Sequence, residues 1–177
     1  MNTDDREDAA RRAITIALRT AAGILGSREQ ASDIAQDVAL DALRGVDRLR
    51  DPEAFDAWVR KIAVRHTLRA LRKQRATRAV EVPLGLIGDL GDLAAVDGDP
   101  DLIIAARGAL AQALTTLSAR QRVALALRYV QDLTDKEIAA AMGCRRGTAN
   151  ALLSRGRATL RQSLALKDLM LTMEAAR

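Results

Sequence analysis

The apolar residues of the chain recur three or four positions apart over long stretches, and no stretch alternates apolar and polar residues as a half-buried strand does. Ile34, Val38 and Ala42 form one such stripe, and the alanines beside them allow a second helix to pack closely. The sequence therefore predicts an all-α fold, with helices at residues 9–25, 29–43, 53–75, 102–117 and 119–130 and two shorter helices between 134 and 161.

Glycine and proline interrupt this pattern in one segment, around Pro83, Gly91 and Pro100. Such residues end helices and favour turns or extended chain. We interpret residues 79–100 as a flexible linker between two small helical bundles, an N-terminal domain at residues 1–78 and a C-terminal domain at 101–166. Residues 167–177 form a tail, for which a docking helix and a frayed end are equally good interpretations.

The C-terminal bundle contains the pattern of a helix-turn-helix. Thr134 and Glu137 have the spacing of a capping box, and Gly143 can adopt the left-handed conformation that ends a helix. The helix that follows is basic and polar on its outer positions. A DNA-recognition helix and an ordinary helical hairpin with a solvated basic face both fit this pattern. The polar positions, with no acid among them, are Arg145, Arg146, Thr148, Asn150, Ser154, Arg155 and Arg157.

Charge is distributed unevenly around a net value of +5. Every charged residue between positions 57 and 78 is positive, every one between 79 and 106 is negative, and the charge is positive again from 143 to 161. Clustered cations repel one another unless a polyanion neutralises them, so the two basic blocks favour nucleic acid over a merely solvated face. Trp58 lies in the first block, and two roles are open for it, namely burial in the core and contact with nucleic acid.

The composition offers no candidate catalytic or metal site, which also argues against an enzyme acting on nucleic acid. One histidine, His66, and one cysteine, Cys144, are too few for a metal cluster, a nucleophilic triad or an internal disulfide. We therefore expect a protein that is not an enzyme and needs no cofactor. No apolar run reaches the length of a membrane span, and the acidic N-terminus is unlike a signal peptide, so we expect a cytoplasmic protein without membrane insertion.

Two separate parts of the chain resemble the bacterial sigma factors. Residues 31–38, Ala-Ser-Asp-Ile-Ala-Gln-Asp-Val, and residues 55–63, Phe-Asp-Ala-Trp-Val-Arg-Lys-Ile-Ala, are similar to the second conserved region of that family. The segments Leu-Ser-Ala-Arg-Gln-Arg at 117–122, Leu-Arg-Tyr at 127–129, Leu-Thr-Asp-Lys-Glu-Ile-Ala at 133–139 and Gly-Thr at 147–148 are similar to the fourth region. A short chain with only these two regions resembles the extracytoplasmic-function group.

The resemblance implies a protein that binds core RNA polymerase, directs it to a promoter and helps open the duplex. It implies core RNA polymerase, promoter DNA and an anti-sigma protein as partners. By position, the polymerase-binding residues are Asp33, Gln36, Asp37 and Asp41. The residues that meet the minus-ten element are Arg50, Trp58, Arg60, Lys61, Arg65 and Arg69. The polar positions of the second helix of the helix-turn-helix would then meet the minus-thirty-five element.

The chain departs from the family pattern at a few of these positions. Ala39 stands where a large aromatic is usual, Arg65 where asparagine is common, and Asn150 and Leu152 where basic residues are common. Because asparagine can bond adenine with two hydrogen bonds, the preferred promoter sequence is expected to differ. The main rival interpretation is a helix-turn-helix transcription regulator that does not direct polymerase. The acidic helix at residues 33–41, followed by Trp58, argues against that rival.

Overall fold

A computed structural model describes residues 3–25, 27–76, 110 and 113–162 of the protein. Within these ranges every regular element is helical, which confirms the predicted all-α fold. The α-helices are α1 (Thr3–Leu25), α2 (Arg28–Gly45), α3 (Phe55–Ala76), α4 (Ala119–Tyr129), α5 (Asp135–Ala141) and α6 (Arg146–Gln162). The predicted linker at 79–100, the tail at 167–177 and most of the helix predicted at 102–117 lie outside the described residues.

Helices α1 and α2 form an antiparallel pair built on small residues. Ala13, Ala17 and Ala21 of α1 are fully buried, and they let α2 approach closely through its own buried alanines. Helix α1 begins six residues earlier than predicted, at Thr3. The acidic residues there suit the first turn of a helix, and an ion pair between Glu7 and Arg11, one turn apart, supports the same stretch.

The ends of α2 and the start of α3 are fixed by caps and by one aromatic contact. Ser27 caps α2, and its hydroxyl accepts from the Gln30 amide at 3.3 Å. Two short 3-10 turns, Val46–Arg48 and Pro52–Ala54, lead into α3. Trp58 is half-buried over Gly45, where an added Cβ would lie 2.9 Å from the indole. Trp58 therefore packs mainly inside the protein.

Helices α4, α5 and α6 form the C-terminal bundle, and the predicted capping box at Thr134 and turn at Gly143 are confirmed. Ser118 and Gln121 exchange hydrogen bonds in a capping box at the start of α4, and Thr134 and Glu137 do the same at α5. Gly143 adopts the left-handed conformation with a φ of 60°, which ends α5 and begins the turn to α6. Helix α6 lies close against α4 because Gly156 faces Leu125, where an added Cβ would approach the leucine to 2.9 Å.

The two bundles also pack against each other, which the sequence did not predict. Helix α4 contacts α1 and α3, helix α5 contacts α3, and the buried side chains of both bundles form one continuous apolar cluster. Val130, at the end of α4, lies against Gly23 of α1. The second contact is polar and involves Gln131, which bridges α1 and α3.

Candidate nucleic-acid interface

The first basic surface runs along α3. Lys61, Arg65 and Arg69 are spaced four residues apart, so they form one stripe on the helix, and all three are exposed. Phe55, Val59 and Ile62 are buried and anchor the other side of α3 in the N-terminal bundle. None of the three stripe cations forms an ion pair with a described residue. The stripe therefore presents an unneutralised row of positive charge.

Arg60 belongs to the same helix but has a different environment. It is half-buried, and its Nε donates to the Gln131 side-chain oxygen at 3.1 Å. Glu137, at the start of α5, lies close enough for the charge of Arg60 to act on it. The pKa of Glu137 is lowered first by hydrogen bonds from the Thr134 hydroxyl and backbone amide, and further by the charges of Arg60 and Lys136. Among the predicted DNA-contacting residues, Arg60 thus faces the C-terminal bundle.

A cavity of about 390 Å³ lies between the first half of α1 and the connection from α2 to α3. The Arg12 guanidinium forms an ion pair with Asp56 at 2.7 Å and lies over the Phe55 ring, 5.4 Å from its centroid. Arg6 pairs with Asp47 at 3.3 Å. These contacts hold the connection that carries the exposed Arg50. The cavity is lined by Asp5, Asp8, Ala9, Arg12, Val46, Leu49, Pro52 and Phe55.

The outer face of α2 is acidic, as predicted, and it carries an apolar residue that the prediction omitted. Asp33, Gln36 and Asp37 are exposed on this face, and Leu40 beside them is 51% exposed. Asp41 is different, because its carboxylate lies 3.0 Å from the ring of His66 on α3 and 3.6 Å from Arg44. Three of the four predicted residues, Asp33, Gln36 and Asp37, therefore lie together on an exposed surface, whereas Asp41 interacts with side chains of the protein itself.

The second basic surface is α6. Ala149, Leu153 and Gly156 are buried at helical spacing and seat this helix on the C-terminal bundle. The Arg145 carbonyl accepts from the amides of Thr148 and Ala149, so Arg145 stands at the start of the helix. At 100° per residue, Ser154 lies near the centre of the outward face. All of the predicted contact positions are exposed, namely Arg145, Arg146, Thr148, Asn150, Ser154, Arg155 and Arg157.

Sequence reasoning missed the residues that join separate helices. Gln131 sits in the short connection between α4 and α5, where no periodic pattern marked it. Its side-chain nitrogen donates to the Thr20 hydroxyl at 3.1 Å, and its side-chain oxygen accepts from Arg60. Thr20 also carried no signal, since a threonine inside an apolar stripe is ordinary. In the described part of the chain, no group of residues could hold a metal ion and no helix is long and apolar enough to cross a membrane.

Two family models match the chain. The model for sigma-70 region 2 matches residues 8–77, and the model for sigma-70 region 4 matches residues 107–160. The first match includes α2 and α3, which carry the acidic and basic surfaces of the N-terminal bundle. The second match includes the helix-turn-helix. Together they span most of the chain.

Relatives and solved structures agree with these models. The RNA polymerase sigma factor SigV of Bacillus subtilis is 28% identical over 159 residues, which cover 85% of this chain and 86% of the relative. The ECF RNA polymerase sigma factor SigE of Mycolicibacterium smegmatis is 29% identical over 150 residues, which cover 83% of this chain and 56% of the longer relative.

Among solved structures, the sigma factor RpoE of Bartonella quintana, in complex with the anti-sigma factor NepR, has the same fold. Its TM-score is 0.62 at 22% identity, and the match covers 92% of this chain and 98% of that one. These matches confirm the resemblance carried by residues 31–38, 55–63 and 117–148. The chain belongs to the sigma-70 family of RNA polymerase sigma factors, in its extracytoplasmic-function group.

Proposed function

We propose that the chain binds core RNA polymerase through the outer face of α2 and recognises promoter DNA through α3 and α6, and so promotes transcription initiation. One observation carries this proposal. Two exposed cationic helices lie on separate bundles, and an exposed acidic helix lies on one of them. A simple helix-turn-helix regulator needs only the cationic surface of α6.

The polymerase-binding surface consists of Asp33, Gln36, Asp37 and Leu40. The carboxylates suit a basic partner, and Leu40 adds apolar area that a partner would remove from water. Asp41 has an internal role in this proposal. It ties α2 to α3 through His66, and so holds the polymerase-binding helix in register with the DNA-binding one.

Helix α6 would lie in the major groove at the upstream promoter element, because a groove of that width admits one α-helix. Arg146 or Arg157 can bond guanine, and Asn150 can bond adenine through two hydrogen bonds. Arg145 and Arg155 suit phosphates on either side, since contacts to phosphate set register and contacts to base edges set sequence. The side chains of this helix that face outward include no acid to oppose the duplex.

Lys61, Arg65 and Arg69 would follow the phosphate backbone at the minus-ten element, joined by Arg50 on the connection before α3. Single-stranded bases are captured by stacking surfaces as well as by cations. Trp58 is half-buried over Gly45, so its main contribution is to set the direction of α3. Capture of the opened strand therefore depends on guanidinium groups more than on stacked aromatic rings.

We further infer that the chain acts in the cytoplasm, without enzymatic activity, and is held inactive by an anti-sigma protein. Two similar solved structures support the last point. One is the Bartonella quintana sigma factor with NepR, and the other is CnrH with the cytosolic domain of CnrY, which matches with a TM-score of 0.60 at 21% identity.

The test is charge reversal on the outer face of α2. Asp33→Arg and Asp37→Arg, singly and together, should reduce or abolish co-elution with core polymerase in the absence of DNA. Both carboxylates are exposed, and neither forms an ion pair with another described residue. Asp8→Arg on α1 makes the same reversal on another exposed acid and should co-elute normally. Circular dichroism should show equal helix content in all variants. Unchanged co-elution of the double variant would contradict the assignment and favour the regulator.

A further inference from the structure

The pair of helices α1 and α2 keeps an exposed face on the side away from α3. Helix α3 meets α1 on the side of Arg12, whose guanidinium pairs with Asp56 of α3 at 2.7 Å. At about 100° per residue, Ile14 points about 200° and Leu18 about 240° around α1 from Arg12, and so away from α3. Ile14 is 40% exposed and Leu18 is 37% exposed. These two side chains form an apolar strip that the fold leaves partly uncovered.

Helix α2 contributes the other half of this face. It meets α3 on the side of Asp41, which lies 3.0 Å from the ring of His66. Leu40 and Gln36 point about 100° and about 140° around α2 from Asp41, and both are exposed. The strips of the two helices lie side by side, because buried alanines hold α1 and α2 close together. We call the surface made of Ile14, Leu18, Gln36 and Leu40 the α1–α2 face.

The α1–α2 face carries opposite charges along its two edges. Asp33 and Asp37 are exposed at the edge of α2. Arg19, about 100° beyond Leu18, is exposed at the edge of α1. Neither the two carboxylates nor Arg19 forms an ion pair with another described residue. The face is therefore negative on one side, apolar in the middle and positive on the other side.

Arg19 and Asp33 lie at the same height along the two antiparallel helices. Arg6 of α1 contacts the Leu43 carbonyl and the Asp47 carboxylate of α2, each at 3.3 Å. Thirteen residues further along α1, Arg19 is therefore level with the segment thirteen residues earlier in α2, residues 30–34. Because Arg19 and Asp33 stand on opposite edges of the face, they do not pair within one molecule. In a second copy, related by a two-fold axis parallel to the helices, Asp33 would lie opposite Arg19.

We propose that the α1–α2 face is the interface of a weak homodimer of the free protein, and that this dimer competes with core polymerase. Apolar side chains meet in its centre, and an Arg19–Asp33 ion pair lies at each edge. The charges of the face are self-complementary, as a two-fold interface requires. A purely basic partner would match the α2 edge but would repel Arg19. The competition rests on the function proposed above, because the dimer covers the polymerase-binding surface.

The size of the face sets the strength of the dimer. About fourteen residues of each helix rise about 20 Å, and two packed helices are about 20 Å wide. The dimer therefore covers roughly 400 Å² of each copy, about half of what a stable complex buries per partner. We expect a dissociation constant of roughly 10–100 μM. At that strength the dimer holds only the copies that exceed the available polymerase.

Sedimentation equilibrium of the full chain, without polymerase or DNA, tests the dimer. Between about 1 and about 300 μM, the average mass should rise from that of one chain, 19.1 kDa, towards twice that value. Leu18→Arg puts a cation into the apolar centre and should weaken association by at least about tenfold. Tyr129→Arg introduces the same cation at an exposed side chain of the C-terminal bundle and should leave association unchanged. A chain that stays monomeric, or a dimer that tolerates Leu18→Arg, would overturn the proposal.

A charge exchange tests the pairing at the edges, at two exposed positions where folding is not at risk. Arg19→Asp alone and Asp33→Arg alone each place like charges opposite one another, and each should weaken association by at least about tenfold. The double variant restores opposite charges and should recover most of the native affinity. Arg48→Asp makes the same reversal at an exposed arginine outside the face and should have no effect. A double variant as weak as the single variants would contradict the two-fold arrangement.

The dimer and the proposed function fail separately. Arg19→Asp lies outside the polymerase-binding surface and should co-elute with core polymerase as the native chain does. Core polymerase added to the concentrated native chain should draw single copies out of the dimer. A polymerase complex that retains two copies of the chain would overturn the competition. If the chain dimerises but never binds polymerase, the proposed function is wrong and the dimer stands.

Discussion

Helices α3 and α6 are both exposed cationic helices, but they differ in how much of their circumference the fold uses. Helix α6 is buried on one side only, through Ala149, Leu153 and Gly156. Helix α3 is buried on two sides. Phe55, Val59 and Ile62 face the N-terminal bundle. A second set at helical spacing consists of the half-buried Arg60 and the buried Val64, Thr67 and Leu71.

This difference implies that the two helices proposed to bind DNA present their cations under different conditions. Helix α6 stands at the edge of its bundle, so its outward face is the same whether or not the bundles touch. Helix α3 lies between its own bundle and α4 and α5, so part of its cationic surface depends on the arrangement of the whole chain. Recruitment to duplex DNA and strand opening should therefore be separable by mutation.

The largest effect should come from neutralising each cationic helix in turn. Changing Arg145, Arg146 and Arg155 to alanine should abolish recruitment to a paired promoter, and a pre-melted template should not rescue it. Changing Lys61, Arg65 and Arg69 to alanine should spare upstream contact and block opening, with partial rescue on a pre-melted template. Run-off transcription with core polymerase is the measurement. Each set should also make binding less sensitive to salt. The slope of the logarithm of the binding constant against the logarithm of salt concentration should become shallower by about one unit for each phosphate contact that is lost.

If both sets fail in the same way on both templates, the division between recruitment and opening is wrong. Circular dichroism on each set provides the folding control, since all six side chains are exposed and none is part of the apolar cluster.

An intermediate effect should come from disturbing how α6 is seated. Gly156→Leu would force a side chain into the space filled by Leu125, which lies 2.9 Å from an added Cβ and is itself buried. Overpacking of this kind costs about 1–3 kcal/mol of folding free energy. Thermal unfolding should show the loss, and binding to an upstream-element duplex should weaken. Gly147→Leu on the same helix faces open space and should leave the free energy of unfolding equal or higher. Equal destabilisation by both changes would argue against this packing.

The smallest effect should be the pH dependence of the α5 cap, which positions the helix between α3 and α6. The pKa of Glu137 is lowered from its ordinary value of 4.5, mainly because Thr134 donates hydrogen bonds to the carboxylate. A lowered folded-state pKa means that this contribution to stability is present above pH 4.5 and is lost as pH falls through the folded-state pKa. Chemical denaturation from about pH 6 down to about pH 3 should show a flatter stability profile for Glu137→Gln than for the native protein.

Glu53→Gln, which removes a carboxylate outside any capping box, should keep the native slope. If Glu137→Gln and the native protein have identical profiles, protonation of Glu137 does not contribute to the pH dependence of stability.

The sequence by itself determined the local structure. The caps at Thr134 and Ser118 and the left-handed Gly143 involve residues at most three positions apart, and such contacts leave a pattern that can be recognised in a single stretch. The buried stripe of α2 and the exposed cations of α6 followed from helical period alone. The start of α1 was misplaced because acidic residues that favour a first turn lack the apolar repeat used to recognise a helix.

Only the tertiary structure decided how the surfaces relate to one another. Gln131 meets Arg60 across 71 positions and Thr20 across 111 positions, and nothing in the period or charge of the chain links them. The same holds for Asp41, which the sequence grouped with the other acids and the fold pairs with His66. Trp58 likewise packs over Gly45 only because glycine has no side chain at that position. Helical period records which face of a helix is apolar, but the partner of that face is chosen by the packing of all helices at once.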